Sequence, residues 1–354
     1  MPTKLSRRDF IRLCAGGAAA ISLSSYLAPF MAEAVAAGAP PVLWIQGGSC
    51  TGCSISILNT VSPDIEKVLT EVISLRYHPN ISAAAGDLAI QEALYKTAEE
   101  FKGQFFLVVE GAVPVAADGM YCIIGEKDGQ HLTFERAVKE IGSQAAAILN
   151  FGTCSAFGGI PATPPNPTKC KPVSEIIKTV PIVNVPGCPP HPDWMIGTIA
   201  HVLLYGDVPE VDSFGRPKMF FGGIIHDNCP RRQYFDNAIF AKNFGDPGCL
   251  LEIGCKGPIA HCDSTTRLWN GGVNWCIKAG APCIACTEPQ FPGWPMYERI
   301  PEMPIAPAMT ATIDQIGGVL GAAAVLGIGG HLAGNIATGR IGPKKNDAEK
   351  EGDN

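Results

Sequence analysis

Hydrophobic positions fall into two regimes along the chain. Between residues 40 and 215, short apolar runs alternate with amphipathic stretches. "PVLWIQG", "EVISLRYH", "FFLVVEGAVP", "AAAILNFG" and "IVNVPG" read as strands. Helical patterns occupy 54–61, roughly 88–102, 133–142, 172–180 and 193–204. Strands alternating with helices predict an α/β fold, a parallel sheet with helices on its faces. Ligands of such sheets lie beyond the carboxyl ends of the strands. Cys50, Cys154 and Cys188 follow directly on predicted strands, in "QGGSC", "FGTC" and "PGC". Three strand ends are therefore expected to bring thiols to one edge.

From 216 to 303 the periodicity fades, Gly, Pro and Cys become frequent, and Trp269, Trp275 and Trp294 appear. This predicts a small loop-rich domain whose core is partly inorganic. Beyond it, 316–337 holds 22 residues with no charge except a possible one on His331. As a helix rising 1.5 Å per residue it spans ~33 Å, enough for a bilayer core. A membrane anchor is expected over 312–338, with 339–354 as a cytoplasmic tail, since Arg340, Lys344 and Lys345 follow the helix. Gly317/Gly321 and Gly330/Gly334 are spaced for close packing against another membrane helix. A glycine-rich buried helix is the other reading of this stretch.

Composition narrows the function. Charged residues are 17%, hydrophobic ones 46%, and the net charge is −6, which fits neither a disordered chain nor a nucleic-acid binder. The 40 glycines and 30 prolines suit ordered, irregular loops. Fourteen cysteines would ordinarily mean disulfides in an exported protein. The N-terminus argues otherwise. Arg7–Arg8, then Phe10, a mild apolar stretch and a small-residue cleavage signal at Ala34–Ala36 make 1–36 a twin-arginine signal peptide. Proteins on that route fold and load cofactors in the reducing cytoplasm before export to the periplasm. Metal ligation is then the better reading of the cysteines.

By context they form three groups. Cys50, Cys53, Cys154 and Cys188 offer four thiolates, enough for a cubane iron–sulfur cluster or a structural zinc. A dithiol at Cys50–Cys53 alone would leave the other two unexplained. His226 and Cys229 in "HDNCP", with Cys249 and Cys255, form a second set. Cys262, Cys276, Cys283 and Cys286 form a third. Cys14 belongs to the signal, Cys122 to the apolar "YCIIG", and Cys170 reads as an isolated loop residue. The remaining eleven cysteines with His226 make twelve ligands, or three sets of four.

The motifs "CTGCS", "EGAVP", "GTCSAFGGIP", "NVPGCPPHPDW", "IHDNCPRRQYFD", "GCKGP" and "APCIACTEPQFP" together resemble the small subunit of a periplasm-facing, membrane-bound nickel–iron uptake hydrogenase. The likeness covers nearly the whole chain. It implies a flavodoxin-like domain over 40–215 holding a proximal [4Fe–4S] cluster on Cys50, Cys53, Cys154 and Cys188. It implies a 216–303 domain with a distal [4Fe–4S] cluster on His226, Cys229, Cys249 and Cys255, and a medial cluster between. Electrons from H2 would pass from a nickel–iron large subunit to a membrane cytochrome or quinone acceptor. This chain would carry no catalytic residue. The alternative is an electron-transfer subunit of a quinone-reductase-like complex, whose members keep only the proximal-type ligands.

Two departures from the family pattern matter. The first medial cysteine usually lies nine residues after the cysteine of CKGP, but here Ser264 stands there and Cys262 precedes it. Cys276 replaces a proline of the three-iron members. We therefore expect a medial [4Fe–4S] on Cys262, Cys276, Cys283 and Cys286, with [3Fe–4S] as the alternative. Oxygen-tolerant relatives place two further cysteines where this chain has Gly52 and Gly159, so an ordinary proximal cluster is expected. Ser49 stands where some members carry a glutamate. Glu110 either contacts a partner or caps a loop, and His191 orders the loop at Cys188.

Overall fold

The computed structural model describes residues 5–15, 27, 30, 36, 40–61, 64–293, 295–298, 303–306, 309–311 and 313–341. Ala34, Trp294, Lys344 and Lys345, all used above, lie outside the described residues. The chain divides into two compact units, one up to Glu298 and one beyond it.

The first unit is built on a five-stranded parallel sheet: β1 (Val42–Gln46), β2 (Leu75–Tyr77), β3 (Phe106–Glu110), β4 (Ala147–Phe151) and β5 (Ile182–Val185). All five lie within the expected apolar runs. Their order, β2-β1-β3-β4-β5, is that of a flavodoxin-like sheet. Both faces are covered, which is why the strands read as continuous apolar runs. Val42, Trp44, Phe106, Val108 and Leu149 join one core, while Leu43, Ile45, Leu107, Val109 and Ile148 join the other. Each buried aliphatic side chain contributes about 1.5–3 kcal/mol, so the sheet is self-supporting.

Helices stand at 52–58, 88–100, 134–142 and 192–205, close to expectation. The stretch expected at 172–180 is helical only over Val173–Ile176, because Ile177 turns extended and buries its side chain in the second core. A hairpin, Ile123–Lys127 with Gln130–Thr133, was not expected. Its turn is Asp128–Gly129, both at positive φ, and that dipeptide is a recognised hairpin signal. Cys170 is not in a loop. It is buried in a two-residue strand, Cys170–Lys171, paired with Val113–Pro114.

The segment Arg7–Ala15 is a helix packed on the 192–205 helix. Phe10 is fully buried, with ring centroids 5.3 Å from His201 and 5.4 Å from Tyr205. After residue 206 regular structure gives way to short helices and single turns, and Met219, Phe220 and Phe221 continue the first core.

The second unit holds a hairpin, Met303–Ala306 with Met309–Ala311, and a helix, Ile313–Ala337. The helix is long and apolar enough to cross a membrane. Its described side chains are exposed or half-buried.

Candidate iron–sulfur relay

The parallel register places Gln46, Glu110, Phe151 and Val185 side by side at the carboxyl edge of the sheet. The chain turns directly after these residues. Beyond β1, Thr51 takes a left-handed conformation and starts the helix Gly52–Leu58, which carries Cys53. Beyond β4, Gly152 sits at φ +95° and starts the helix Thr153–Phe157, which carries Cys154. Beyond β5, Gly187 at φ +141° leads into Cys188. A Cβ on Gly152 would stand 2.5 Å from the Cys53 Sγ, so the turn after β4 lies against that thiol.

Glu110 explains part of this geometry. It is fully buried and accepts from the backbone N–H groups of Cys53 and Ser54 at 3.1 and 3.3 Å. Trp44 Nε1, Gln46 Nε2 and the Ser54 hydroxyl donate to its other oxygen at 3.1, 2.8 and 2.5 Å. All five neighbours are donors, so the carboxyl serves only as an acceptor and caps the helix that holds Cys53. Of its two expected roles, the structure shows the cap. His191 also has its ring committed: Nδ1 accepts from the Asp193 N–H at 3.0 Å, and Nε2 meets the Leu268 carbonyl at 2.8 Å.

Burial pushes the thiols of Cys53, Cys154 and Cys188 above the ordinary value, Cys154 to about 12. Glu110 and the neighbouring thiols raise Cys53 further, and Cys154 and Cys188 are raised by their neighbours as well. Thiols so placed become thiolates only against a strong positive centre, which a bound metal provides.

The second set has a different construction. His226, Cys229, Cys249 and Cys255 line one small cavity with Arg231 and Ile225. The N–H of Arg231 points to the Cys229 thiol, that of Leu251 to Cys249, and that of Gly257 to Cys255. The third set repeats the device: the Ala285 N–H donates to Cys283 at 3.3 Å, and both the N–H and hydroxyl of Ser264 face Cys262. In all five cases the donor lies two residues after the cysteine. Such turns prepare thiolates for iron, because each N–H stabilises the anionic sulfur.

Cys262 is buried, with its thiol pushed up to about 12 by burial and then by Asp263 and Cys276. It also raises the thiols of Cys283 and Cys286, so Cys262 lies within electrostatic reach of both. Ser264 stands behind this thiol as a hydrogen-bond donor. Among the described residues, no three His, Cys, Asp or Glu side chains converge as they would on a single ion.

The sets are also joined. The Cys188 N–H faces the Cys286 thiol, toward the third set, and the Cys283 N–H donates to Cys255 at 3.3 Å, linking third to second. Thr153, beside Cys154, donates its hydroxyl to the Cys286 carbonyl. At one end Cys50 is exposed, and at the other His226 and Cys229 are half-buried between exposed loop residues. Sequence reasoning misses Arg216, His261, Asp263 and Glu288, which surround the third set. Their only sequence signal is adjacency to Cys262 and Cys286, and Arg216 lacks even that.

Two family models match. The C-terminal family of the NiFe/NiFeSe hydrogenase small subunit matches residues 221–297. The NADH ubiquinone oxidoreductase 20 kDa subunit family matches residues 50–202. The periplasmic NiFeSe hydrogenase small subunit of Desulfomicrobium baculatum is 46% identical over 305 residues, 81% of this chain and 96% of the relative. The quinone-reactive Ni/Fe-hydrogenase small chain of Wolinella succinogenes is 37% identical, over 92% of this chain and 95% of the relative. The crystal structure of a reduced, active Ni-Fe-Se hydrogenase from Desulfomicrobium baculatum aligns with a TM-score of 0.70 at 45% identity, over 74% of this chain and all of the matched chain.

Proposed function

Because the chain belongs to the NiFe hydrogenase small-subunit family and is the electron-transfer subunit of that enzyme, we propose that its twelve candidate ligands hold three clusters. Cys50, Cys53, Cys154 and Cys188 would hold a proximal [4Fe–4S]. Cys262, Cys276, Cys283 and Cys286 would hold a medial [4Fe–4S], and His226, Cys229, Cys249 and Cys255 a distal [4Fe–4S]. Bound clusters supply reversible one-electron chemistry. The residues here keep the sulfurs fixed, dry and hydrogen-bonded. The observation that carries the reading is the continuity of the three sets through the Thr153 hydroxyl bond to the Cys286 carbonyl and the Cys283 N–H bond to the Cys255 sulfur.

The proximal set faces outward at Cys50, beside exposed Ile55, Leu58 and Val61. Apolar residues in that position suit the large subunit, whose nickel–iron centre would deliver electrons there. The partner at the other end is a membrane cytochrome b or another quinone-linked subunit. The protein works on the periplasmic side of the cytoplasmic membrane, exported by the twin-arginine route and anchored by the Ile313–Ala337 helix. The proximal site is of the ordinary kind: a Cβ at Gly52 would meet the Cys50 Sγ at 3.0 Å, and one at Gly159 the Cys154 Sγ at 3.0 Å. The quinone-reductase-like alternative is not favoured, since residues 221–297 match the hydrogenase family.

Iron and sulfide per chain, with EPR, on the intact complex purified anaerobically test this assignment. About twelve irons without a three-iron signal on oxidation is the expected result. About eleven irons with a three-iron signal would remove Cys262 from the medial set, and about four would overturn the three-cluster reading.

A further inference from the structure

Cys262 and Cys286 lie on separate loops, with no regular element running between them other than the single turn Ser264–Arg267. One buried carboxylate joins these loops at the level of the backbone. Glu288, 5% exposed and two residues after Cys286, accepts from the His261 N–H at 2.7 Å through its Oε1. The His261 Nδ1 lies 3.2 Å from the same oxygen. Arg216, only 1% exposed, donates to that oxygen at 2.9 Å and to the Thr287 carbonyl at 3.1 Å. The guanidinium is fixed in turn by Asp212 at 2.8 Å.

The other flank of Cys262 is held as well. Asp263 accepts from Trp194 Nε1 at 2.7 Å and pairs with Arg267 at 2.6 Å, which also reaches Asp193 at 3.1 Å. Ile225 N–H donates to the Ala260 carbonyl at 2.8 Å. Both residues next to Cys262 are thus tied to a buried partner, and the thiol is left facing its neighbours in the third set.

We infer that Glu288, held by Arg216, is a positioning residue that brings Cys262 into the medial ligand set and so keeps the medial cluster four-iron. The reason is geometric. Among the described residues, the backbone N–H of His261 bonds to Glu288 alone, and Glu288 sits in the same turn as Cys286. Removing the carboxylate frees the 258–262 loop on one side and leaves buried Arg216 with only Asp212 and the Thr287 carbonyl on the other. The thiol would then drift from its corner while Cys276, Cys283 and Cys286, outside the 258–262 loop, stay in place.

The inference rests on the three-cluster reading above. Its test is Glu288→Ala in the intact complex, purified anaerobically beside wild type and Cys262→Ser. Expected are a fall from about twelve irons to about eleven, a three-iron signal on oxidation matching that of Cys262→Ser, and unchanged proximal and distal signals. If Glu288→Ala fails to assemble, Glu288→Gln decides. It keeps the side chain's shape but lacks the charge facing Arg216, and a three-iron signal in part of the molecules is expected. Four-iron medial clusters in every assembled Glu288 variant, beside a wild type of about twelve irons, overturn this inference alone. A wild type of about four irons overturns the reading beneath it.

Discussion

In the sheet portion, the cysteines hang from strands that pair without them; in residues 216–298, the candidate ligands sit on loops with little regular structure of their own. Val42–Gln46, Phe106–Glu110, Ala147–Phe151 and Ile182–Val185 are joined by a continuous ladder and covered on both faces. The proximal sulfurs are set by where that ladder ends. The later portion has isolated bridges and single turns instead. Its sulfurs are placed by N–H donors two residues on and by buried ion pairs around Arg216 and Arg267. A sheet can hold a metal site as an attachment, whereas a loop cluster needs the metal as part of its core.

Removing the iron should therefore break the two portions unequally, and this is the largest effect expected. Chelation of the oxidised complex, followed by limited proteolysis, should cut within 216–298 first and leave a protected fragment containing 40–205. The gap should be large, because metal binding in small metal-cored folds contributes on the order of 10 kcal/mol. Equal loss of protection in both portions would sink the comparison.

Within the sheet portion, one glycine tests whether the strand end really sets the sulfurs. Gly152→Ala puts a methyl 2.5 Å from the Cys53 Sγ at φ +95°. We expect the proximal EPR signal to disappear with the medial and distal signals retained. Gly206→Ala is the control. Its φ is +64° but nothing lies within 4 Å of the added carbon, so only strain of about 1 kcal/mol and no cluster loss are expected. If the proximal signal survives Gly152→Ala, the turn after β4 is not a determinant of the site.

The same contrast decides what can be read from the sequence. Five apolar runs announce five strands, because a strand buried on both faces has no other way to appear. Cys50, Cys154 and Cys188 can be assigned to one edge because parallel strands share a direction. The Asp128–Gly129 hairpin escapes a reading of apolar runs, although its turn dipeptide is a signal in its own right. The helix expected at 172–180 fails because packing of Ile177 overrides local periodicity. In 216–298 the two groups of candidate ligands can be counted, but not the means that place them. Arg216 and Glu288 are 72 residues apart, and no local pattern announces a buried pair at that separation.

Arg267 probes those means with a smaller effect. It is 6% exposed and bridges Asp263 and Asp193 at 2.6 and 3.1 Å. Arg267→Met keeps the apolar stem but leaves buried Asp193 and half-buried Asp263 without their shared cation. A loss of about 3–5 kcal/mol is expected, as when one partner of a buried pair is deleted. Thermal inactivation of the complex should then occur at a clearly lower temperature. A variant as stable as wild type would show that the ion network around the third set is dispensable.

The smallest effect lies on the sheet side, at His78. Its side chain is 1% exposed, its Nδ1 accepts from the Asn80 N–H at 3.1 Å, and its Nε2 meets the Ser54 hydroxyl at 3.1 Å. With Nδ1 occupied as an acceptor, the ring is neutral and carries its proton on Nε2. Burial lowers its pKa from 6.5 to about 4. The neutral ring is thus favoured by folding, so the stabilisation is whole above pH 6.5 and is lost as the pH falls from there toward 4. At pH 5 the loss amounts to about 2 kcal/mol, at 1.36 kcal/mol per unit. His78→Gln retains a donor toward Ser54 and does not titrate in this range. Its melting temperature should therefore fall less than that of wild type between pH 7.5 and pH 5, by several degrees. Parallel declines in the two proteins would show that the acid sensitivity of the sheet portion arises elsewhere, for instance at His191 or His201, whose pKa values burial also lowers.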